Sequence, residues 1–240
     1  MTSINLETPS KRMWLSTRKF MTTMKKATLG PDVKALERQW VMGRGCPKGY
    51  CAFQYNKKRQ QTEFVIQQTL PVNERFTGSL CVRINELDGT YDHVVQVDDL
   101  LQGFDFECNS RLRKNRKKKY RYVNGDEIIV NLTNRDNPLL WIRVDPQLNW
   151  GPALVFKQPM YMWIFQLQMD RDYVAQLLAI DHIADEPTEG GVEGLKNALM
   201  DKDTVHFHRT RVAAAMAHAS ITRTQIPATA TNGHESPYAQ

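Results

Sequence analysis

The stretch LCVRINELDGTYDHVVQVD, residues 80–98, decides the fold because apolar and polar residues alternate on both sides of a turn. Apolar residues recur at every second position from Leu80 to Ile84, and this period puts them on one face of a β-strand. Asp88 and Gly89 separate the two halves, and this dipeptide suits a tight turn because both residues tolerate positive φ. The stretch therefore predicts an antiparallel β-hairpin.

The same period of two extends outward from this hairpin, over a region from Tyr50 to about Phe156. A second turn dipeptide, Asn124-Gly125, lies within that region. Four further segments alternate in this way: FQYN (53–56), TEFVIQQ (62–68), DEIIVNL (126–132) and LLWIRVD (139–145). At least six short strands with such turns predict an antiparallel β-sandwich, in which FDFEC (104–108) and the residues after it form a long connection.

Helical periodicity flanks the predicted strands on both sides. Residues 14–29 predict an amphipathic helix, and Pro31 begins a second short one. After Pro159 the apolar spacing predicts one helix reaching about His182, then a loop. Two more helices are predicted at 195–200 and from 205 to about 220. The predicted fold class is therefore α+β and multi-part: an antiparallel β-sandwich flanked by N-terminal helices and by the start of a C-terminal α-helical repeat.

Positive charge is concentrated in one basic run, from Arg111 to Arg121, which contains eight cations and no acid. The net charge of the chain is +6, so the remaining residues together carry −2. Such a block attracts polyanions with salt-sensitive, sequence-independent affinity, although a solvated loop and a nuclear-import signal have the same pattern. The predicted DNA-binding residues are Arg111, Arg113, Lys114, Arg116, Lys117, Lys118, Lys119 and Arg121.

The aromatic residues near the basic run have two interpretations. Exposed rings at Tyr120 and Tyr122 could stack on nucleic-acid bases. The β-propensity of tyrosine favours the other interpretation, in which both residues belong to a strand of the sandwich. Trp40, Trp141 and Trp163 lie on apolar faces and are predicted to be core residues.

Motifs for catalysis and metal binding are missing from the sequence. No pair of histidines has the spacing of a zinc-binding HExxH helix, and His206 and His208 fall on different faces of a helix. Neither a phosphate-binding glycine loop nor a GxSxG nucleophile motif occurs. The four cysteines lack CxxC spacing and are interpreted as reduced thiols. We therefore predict no enzyme activity, no metal, no cofactor and no small-molecule substrate.

A membrane partner is not predicted either. The longest apolar runs are far shorter than the roughly 20 residues that a spanning helix requires. The N-terminus MTSINLETPSKR also lacks the apolar stretch of a signal peptide. The chain is therefore expected to be intracellular and not inserted in a membrane.

Four segments together resemble a known family. They are RQWVMGRGCP (38–47), NKKR (56–59), LLWIRVDPQLNW (139–150) and FKQPMYMWIFQLQMDRDYVAQLLAI (156–180). In this order they resemble the subunit 2 family of the general transcription factor TFIID. The members of this family are large TATA-binding-protein-associated factors. That family is similar in architecture to the aminopeptidase N-type zinc metallopeptidases. The resemblance covers roughly residues 14–220 and is most specific in its last third.

The resemblance implies a division of the chain into four parts. Residues 1–44 would be the helical end of a peptidase-like domain, and residues 45–157 the β-sandwich domain that follows it. Residues 158–221 would be the first helices of an α-helical repeat. Residues 222–240, which are rich in Thr, Ala, Pro, Ser and Asn, are expected to form a disordered tail.

The resemblance also implies a nuclear, non-catalytic function in RNA polymerase II pre-initiation complex assembly. The family subunit helps hold TFIID together near initiator and downstream promoter DNA, and it is regarded as lacking peptidase activity. The implied partners are the largest TFIID subunit, the histone-fold subunits and the phosphates of promoter DNA. The basic run would correspond to a Lys/Arg-rich loop of the family's sandwich.

Two other interpretations follow from how little of the family is represented. The amino-terminal sandwich, most of the peptidase-like domain and most of the helical repeat are missing, as expected for a fragment, a truncated gene model or a divergent short protein. The first alternative is an inactive fragment or accessory domain of an aminopeptidase N-like zinc metallopeptidase. The second alternative is a free-standing nucleic-acid-binding or nuclear-import module built on the basic run.

Overall fold

The computed structural model of the chain contains two compact units, Met1–Cys46 and Pro47–Gln240. It describes residues 15–27, 33–43, 48–69, 75–110, 117–121, 127–131, 137–151, 154–201 and 206–225. Along the chain, helices precede a set of strands and further helices follow them, in the predicted order. None of the helices in these ranges is both long enough and apolar enough to cross a membrane.

The first unit contains the two helices predicted at the N-terminus. They are α1 (Thr17–Ala27) and α2 (Val33–Leu36), and α2 continues as a π-helical turn over Glu37–Val41. An ion pair of 2.7 Å between Lys25 Nζ and Glu37 Oε2 connects α1 to this turn. Trp40, which lies in the turn, is half-buried, so the prediction that it is a core residue is wrong. Its neighbour Val41 is exposed, so this turn does not bury a full apolar face.

The second unit begins with two β-sheets that form a sandwich. One sheet has the strand order β5-β2-β1-β9 and the other has the order β4-β3-β8. The predicted hairpin of residues 80–98 is confirmed as the β3–β4 pair, which turns at Asp88 and Gly89. The strands are β1 (Gly49–Asn56), β2 (Gln61–Gln68), β3 (Gly78–Glu86), β4 (Thr90–Val97), β5 (Leu101–Glu107), β6 (Lys117–Arg121), β7 (Glu127–Asn131), β8 (Leu139–Val144) and β9 (Leu154–Phe156).

Alternating side chains of the two sheets form the core of the sandwich. Phe64 and Ile66 of β2 are fully buried, as are Leu80 and Ile84 of β3. Removing an apolar side chain of this size from water stabilises the fold by about 1.5–3 kcal/mol. The faces of the two sheets meet where the ring of His93 on β4 stacks on Phe106 of β5, with 4.5 Å between ring centroids.

Two strands of the four-stranded sheet, β5 and β9, were missed in the sequence. FDFE (104–107) belongs to β5, which pairs antiparallel with β2, so the prediction that this segment lies in a connection is wrong. Gly103 and Asp105 have low β-propensity, and pairing along the exposed backbone of β2 outweighs it. The short β9 pairs in parallel with β1, so the four-stranded sheet is mixed and not wholly antiparallel.

The helices that follow the sandwich are α3 (Met160–Met169), α4 (Tyr173–Asp185), α5 (Glu189–Met200) and α6 (His206–Gln225). The predicted single helix from Pro159 to His182 is wrong, because the chain is extended at Asp170 and Asp172 between α3 and α4. The loop predicted from Asp185 to Gly191 is also too long, because α5 begins at Glu189. The side chain of Thr188 caps this helix by accepting a hydrogen bond from Gly191 N. The predicted disordered tail was expected to begin at residue 222, and this boundary is wrong because α6 continues to Gln225. The rest of the predicted tail, from residue 226 onward, lies outside the described residues.

Glycine at position 191 allows α4 and α5 to approach each other closely. A Cβ atom added there would lie 2.9 Å from Cγ2 of Ile183 on α4 and 3.2 Å from Sδ of Met160 on α3. Any larger residue would therefore push the helices apart, because contacts this short do not occur in packed interiors. The three helices consequently meet at one crowded point behind the sandwich.

Candidate nucleic-acid interface and its support

The second half of the basic run forms a β-strand. Lys117–Arg121 is strand β6, which pairs antiparallel with β7 in a register that runs from Lys117 opposite Asn131 to Arg121 opposite Glu127. The prediction that the run lies wholly in a connection between strands is therefore wrong for this half. Tyr120 belongs to a strand, as predicted, but β6 and β7 form a separate two-stranded sheet and are not part of either sandwich sheet. Tyr122 lies outside the described residues. Arg111, Arg113, Lys114 and Arg116 also lie outside the described residues.

A strand imposes a regular spacing on the cations that it contains. Positions 117, 119 and 121 fall on one face of β6, since successive residues alternate between faces. Cations two residues apart are separated by about 7 Å along the strand. The partner strand EIIVN supplies the β-branched residues that make the pairing favourable, whereas three consecutive lysines alone would not predict a strand.

The residues immediately before the basic run are held firmly to the end of the sandwich. The buried carboxylate of Glu86, 2% exposed, accepts hydrogen bonds from Ser110 N at 2.6 Å and from Asn109 N at 3.3 Å. The hydroxyl oxygen of Ser110 accepts a further hydrogen bond, of 2.9 Å, from Asp88 N. Because backbone amides compensate the buried charge, the chain leaves the sandwich at a fixed point and direction.

A buried ion-pair cluster joins β8 to the break between α3 and α4. The guanidinium of Arg143, whose side chain is 4% exposed, lies 2.8 Å from Asp172 Oδ2 and 3.6 Å from Asp170 Oδ2. Trp141 Nε1 donates a hydrogen bond of 3.1 Å to the same Asp170 oxygen. The other Asp172 oxygen accepts from Val174 N and caps α4. Asp170 therefore lies at the end of α3, Asp172 caps the start of α4, and both pair with Arg143 of the sandwich.

Protonation of Asp172 is suppressed by this arrangement. Burial raises the pKa of its carboxyl, but hydrogen bonds from Arg143 and from the Val174 backbone outweigh burial, and the pKa lies below its ordinary value of 3.8. Asp172 therefore stays ionised at neutral pH and remains available to pair with Arg143.

A relay of glutamine side chains makes a second connection between the sandwich and the helices. Gln158 Oε1 accepts a hydrogen bond of 3.0 Å from Ile142 N on β8. Gln158 Nε2 donates to Gln166 Oε1 on α3 at 3.0 Å, and Gln166 Nε2 donates to the Ala175 carbonyl on α4 at 2.8 Å. The relay and the ion-pair cluster, here called the junction, use residues of the two segments that carry the resemblance most specifically.

Outside the junction, the described cysteines and histidines with shifted pKa values are affected mainly by burial. Burial raises the pKa of the Cys51 thiol to about 12 and that of Cys108 to about 11, which keeps both protonated. His182 stacks on Trp163 with 4.2 Å between ring centroids, and burial lowers its pKa. In the part of the chain that the structure describes, no group of three His, Cys, Asp or Glu residues could hold a metal ion.

Comparison with known sequences identifies the sandwich. Residues 44–159 match the family described as the TAF2 Ig-like domain. The chain is 34% identical to transcription initiation factor TFIID subunit 2 of Gallus gallus, 32% identical to that of Danio rerio and 31% identical to that of Drosophila melanogaster. Each of these alignments covers 90% of this chain and 18% of the relative, so the chain spans less than a fifth of the length of the curated relatives it matches.

Comparison with solved structures identifies the architecture. The crystal structure of Legionella pneumophila aminopeptidase A in complex with aspartic acid is similar with a TM-score of 0.55 and 12% sequence identity. The similarity covers 82% of this chain and 21% of that chain, and at this identity it shows a shared fold and nothing about activity. The architecture is aminopeptidase-like while the sequence similarity is to a transcription factor, so the chain belongs to the family of transcription initiation factor TFIID subunit 2.

Proposed function

We propose that this chain acts in the nucleus as a non-catalytic scaffold component of TFIID, and that it contacts core-promoter DNA near the initiator during pre-initiation complex assembly. The observation that carries the proposal is the similarity to TFIID subunit 2 over 90% of the chain. The proposed protein partners are the largest subunit and the histone-fold subunits of TFIID. Within this proposal the parts 1–44, 45–157 and 158–221 keep the assignments that the resemblance implied, and the helical part extends to Gln225.

The junction supports the scaffold part of the proposal. Four described segments, β8, the residues around Gln158, α3 and α4, are connected by buried hydrogen bonds and ion pairs. A buried polar network of this kind fixes a single arrangement because each group has few alternative partners. A sandwich held rigidly on a helical array can keep the surfaces of both in a fixed relation to neighbouring subunits.

Purification tests the assembly part of the proposal. The tagged chain is isolated from nuclei, and co-purifying proteins are identified by mass spectrometry. The expected result is recovery of TFIID subunits, including the largest one. Recovery with importins or with DNA alone would contradict assembly and would favour a free-standing nucleic-acid or import module.

Charge reversal within β6 tests the DNA part of the proposal. Lys117→Glu, Lys118→Glu and Lys119→Glu are combined in one variant, and binding to several duplexes of unrelated sequence is measured. We expect weaker binding by a similar factor on every duplex, because phosphate contacts carry no sequence information. Equal affinity before and after the change would refute the DNA contact.

A further inference from the structure

The outer strand of the three-stranded sheet lacks the features that usually prevent pairing at a sheet edge. β4 forms one edge of the order β4-β3-β8, and no described strand pairs with its outer side. Its sequence TYDHVVQV contains no proline, lysine or arginine, and its one carboxylate, Asp92, accepts two hydrogen bonds from Arg83 at 2.6 and 2.8 Å. A long edge strand without an uncompensated charge is a template for a further strand.

The other edges of the sandwich are covered, charged or short. At β8 the outward amide of Ile142 donates a hydrogen bond to the side chain of Gln158. β5 exposes the carboxylates of Asp105 and Glu107, and β9 is three residues long. Covered, charged and short edges all resist further pairing. β4 therefore differs from the other edges in both composition and length.

The register of β3 and β4 shows which backbone groups of the edge point outward. Glu86 N donates to the Gly89 carbonyl at 2.8 Å, so hydrogen-bonded pairs follow from this one at every second position. The N–H and C=O groups of Asp92 and Val94 consequently point away from β3, and none of these four groups has a hydrogen bond within the described ranges. The next outward carbonyl, that of Gln96, accepts a hydrogen bond of 3.2 Å from a glutamine side chain of β5.

Side chains on the inner side of β4 are only half-buried. His93 and Val95 lie opposite Val82 and Leu80 of β3, which are fully buried, so both face the core. Each of them nevertheless remains half-buried, as does Phe104 on the adjacent β5. The space between the two sheets is therefore open beside β4. A strand added to this edge would cover apolar surface with every second side chain.

We propose that an extended segment of another TFIID subunit adds a strand to β4 and forms backbone hydrogen bonds with Asp92 and Val94. This inference rests on the scaffold part of the proposed function and names the contact that the scaffold makes. Val94 is 70% exposed and favours a β-branched or aromatic residue opposite it, and the open inner side takes apolar residues from alternate positions of the segment. Asp98 is exposed just after β4, so the segment is basic and not acidic at this end.

Hydrogen exchange of the full chain tests the pairing. The tagged chain is purified from nuclei with its co-purifying subunits, and residue-resolved mass spectrometry measures amide exchange in this complex and in the chain alone. We expect the amides of Asp92 and Val94 to exchange at least roughly tenfold more slowly in the complex, because each gains a hydrogen bond. The amide of Asp105, which points away from β2 at the other edge, is the control and should exchange equally in both.

Two substitutions of Val94 provide matched variants. Val94→Pro removes an amide that β3 does not use, and Val94→Lys places a charge on the edge, so both leave the pairing of β3 with β4 intact. Each should return the exchange of the Asp92 amide to its rate in the chain alone. Asp105→Pro, which changes an outward amide of β5, should leave the exchange of Asp92 slow.

The outcomes separate this inference from the proposed function. If TFIID subunits co-purify but Asp92 and Val94 exchange as in the chain alone, the inference is overturned and the scaffold proposal stands. Protection of Asp92 that persists in both Val94 variants would overturn it as well, because another contact would then cover the strand. Slow exchange in the chain alone that increases with its concentration would indicate pairing with a second copy instead. If no TFIID subunit co-purifies, the scaffold proposal and the inference fail together.

Discussion

Gln166 shows how much one polar side chain can contribute to the stability of this fold. It is 1% exposed, and both ends of its carboxamide are hydrogen-bonded, to Gln158 Nε2 at 3.0 Å and to the Ala175 carbonyl at 2.8 Å. A buried amide without partners costs free energy, whereas one with both partners fixes the packing around it. Gln166 therefore acts as the centre of the junction between α3 and α4.

Replacement of Gln166 by alanine is predicted to destabilise the protein by about 2–3 kcal/mol. The Ala175 carbonyl and the Gln158 amide would both lose their partner, and a cavity would replace the side chain. Urea unfolding measures the effect as a lower midpoint with an unchanged slope. Gln67→Ala on the exposed face of β2 is the control and should change stability by less than about 0.5 kcal/mol. Equal midpoints for the two variants would contradict the relay.

The cysteine thiols are predicted to be unreactive in the folded protein. With pKa values of about 12 for Cys51 and about 11 for Cys108, the reactive thiolate is scarce at pH 8. Alkylation by iodoacetamide, followed by peptide mass spectrometry, should label both residues at least roughly tenfold faster in urea than in buffer. Equal labelling rates in the two conditions would show that the thiols are not buried in solution.

At the scale of the elements, the break between α3 and α4 depends on Arg143. The Arg143 side chain is 4% exposed, whereas the side chains of Asp170 and Asp172 are 12% and 38% exposed, so water partly hydrates the charges that remain. Arg143→Ala is therefore predicted to cost about 2–3 kcal/mol, less than the roughly 3–5 kcal/mol of a fully buried pair. Arg83→Ala is the control, because Arg83 pairs with Asp92 through two hydrogen bonds on the sandwich surface, with side chains 31% and 45% exposed. That exposed pair should contribute less than about 1 kcal/mol. Thermal or urea unfolding of both variants compares them directly, and similar losses would mean that the junction is not a buried cluster.

The same elements show what the sequence could and could not predict. The hairpin of residues 80–98 was predictable because its alternation, its turn dipeptide and its pairing partner are all local in the chain. The break at Asp170 was not, because the apolar spacing continues through it and the cause is an arginine about thirty residues earlier. The β-propensity of Tyr120 favoured a strand at this position, but the pairing of KKKYR with EIIVN in a separate sheet was not predictable, since it depends on register and not on propensity.

The candidate interface was predictable only in part, for a related reason. Charge clustering identifies the basic run directly, because eight cations among eleven residues need no structure to be noticed. The carboxylate of Glu86, which accepts hydrogen bonds from the backbone of Asn109 and Ser110 just before the run, lies more than twenty residues earlier and has no signal in the sequence. Sequence patterns find local clusters, whereas long-range strand pairing decides which clusters become neighbours.

At the scale of the whole molecule, the free energy of unfolding at acidic pH depends on groups in both the sandwich and the helices. His93 lies on β4 and His182 on α4, and burial lowers the pKa of each below the ordinary value of 6.5. A histidine whose pKa is lowered on folding binds its proton more readily in the unfolded state. Below about pH 6.5, each of these residues therefore shifts the equilibrium toward unfolding, at two separate places in the fold.

The free energy of unfolding is accordingly predicted to fall as the pH decreases from about 7.5 to about 5.5. The carboxylates of Asp92 and Asp172, whose pKa values are lowered below 3.8, stay ionised in both states over this range and do not contribute there. Urea titrations at several pH values measure the slope, and His182→Gln should make it shallower because one of the two buried imidazoles no longer takes up a proton. A stability that is constant from pH 7.5 to 5.5, or a slope unchanged by His182→Gln, would contradict the assignment of acid sensitivity to this histidine.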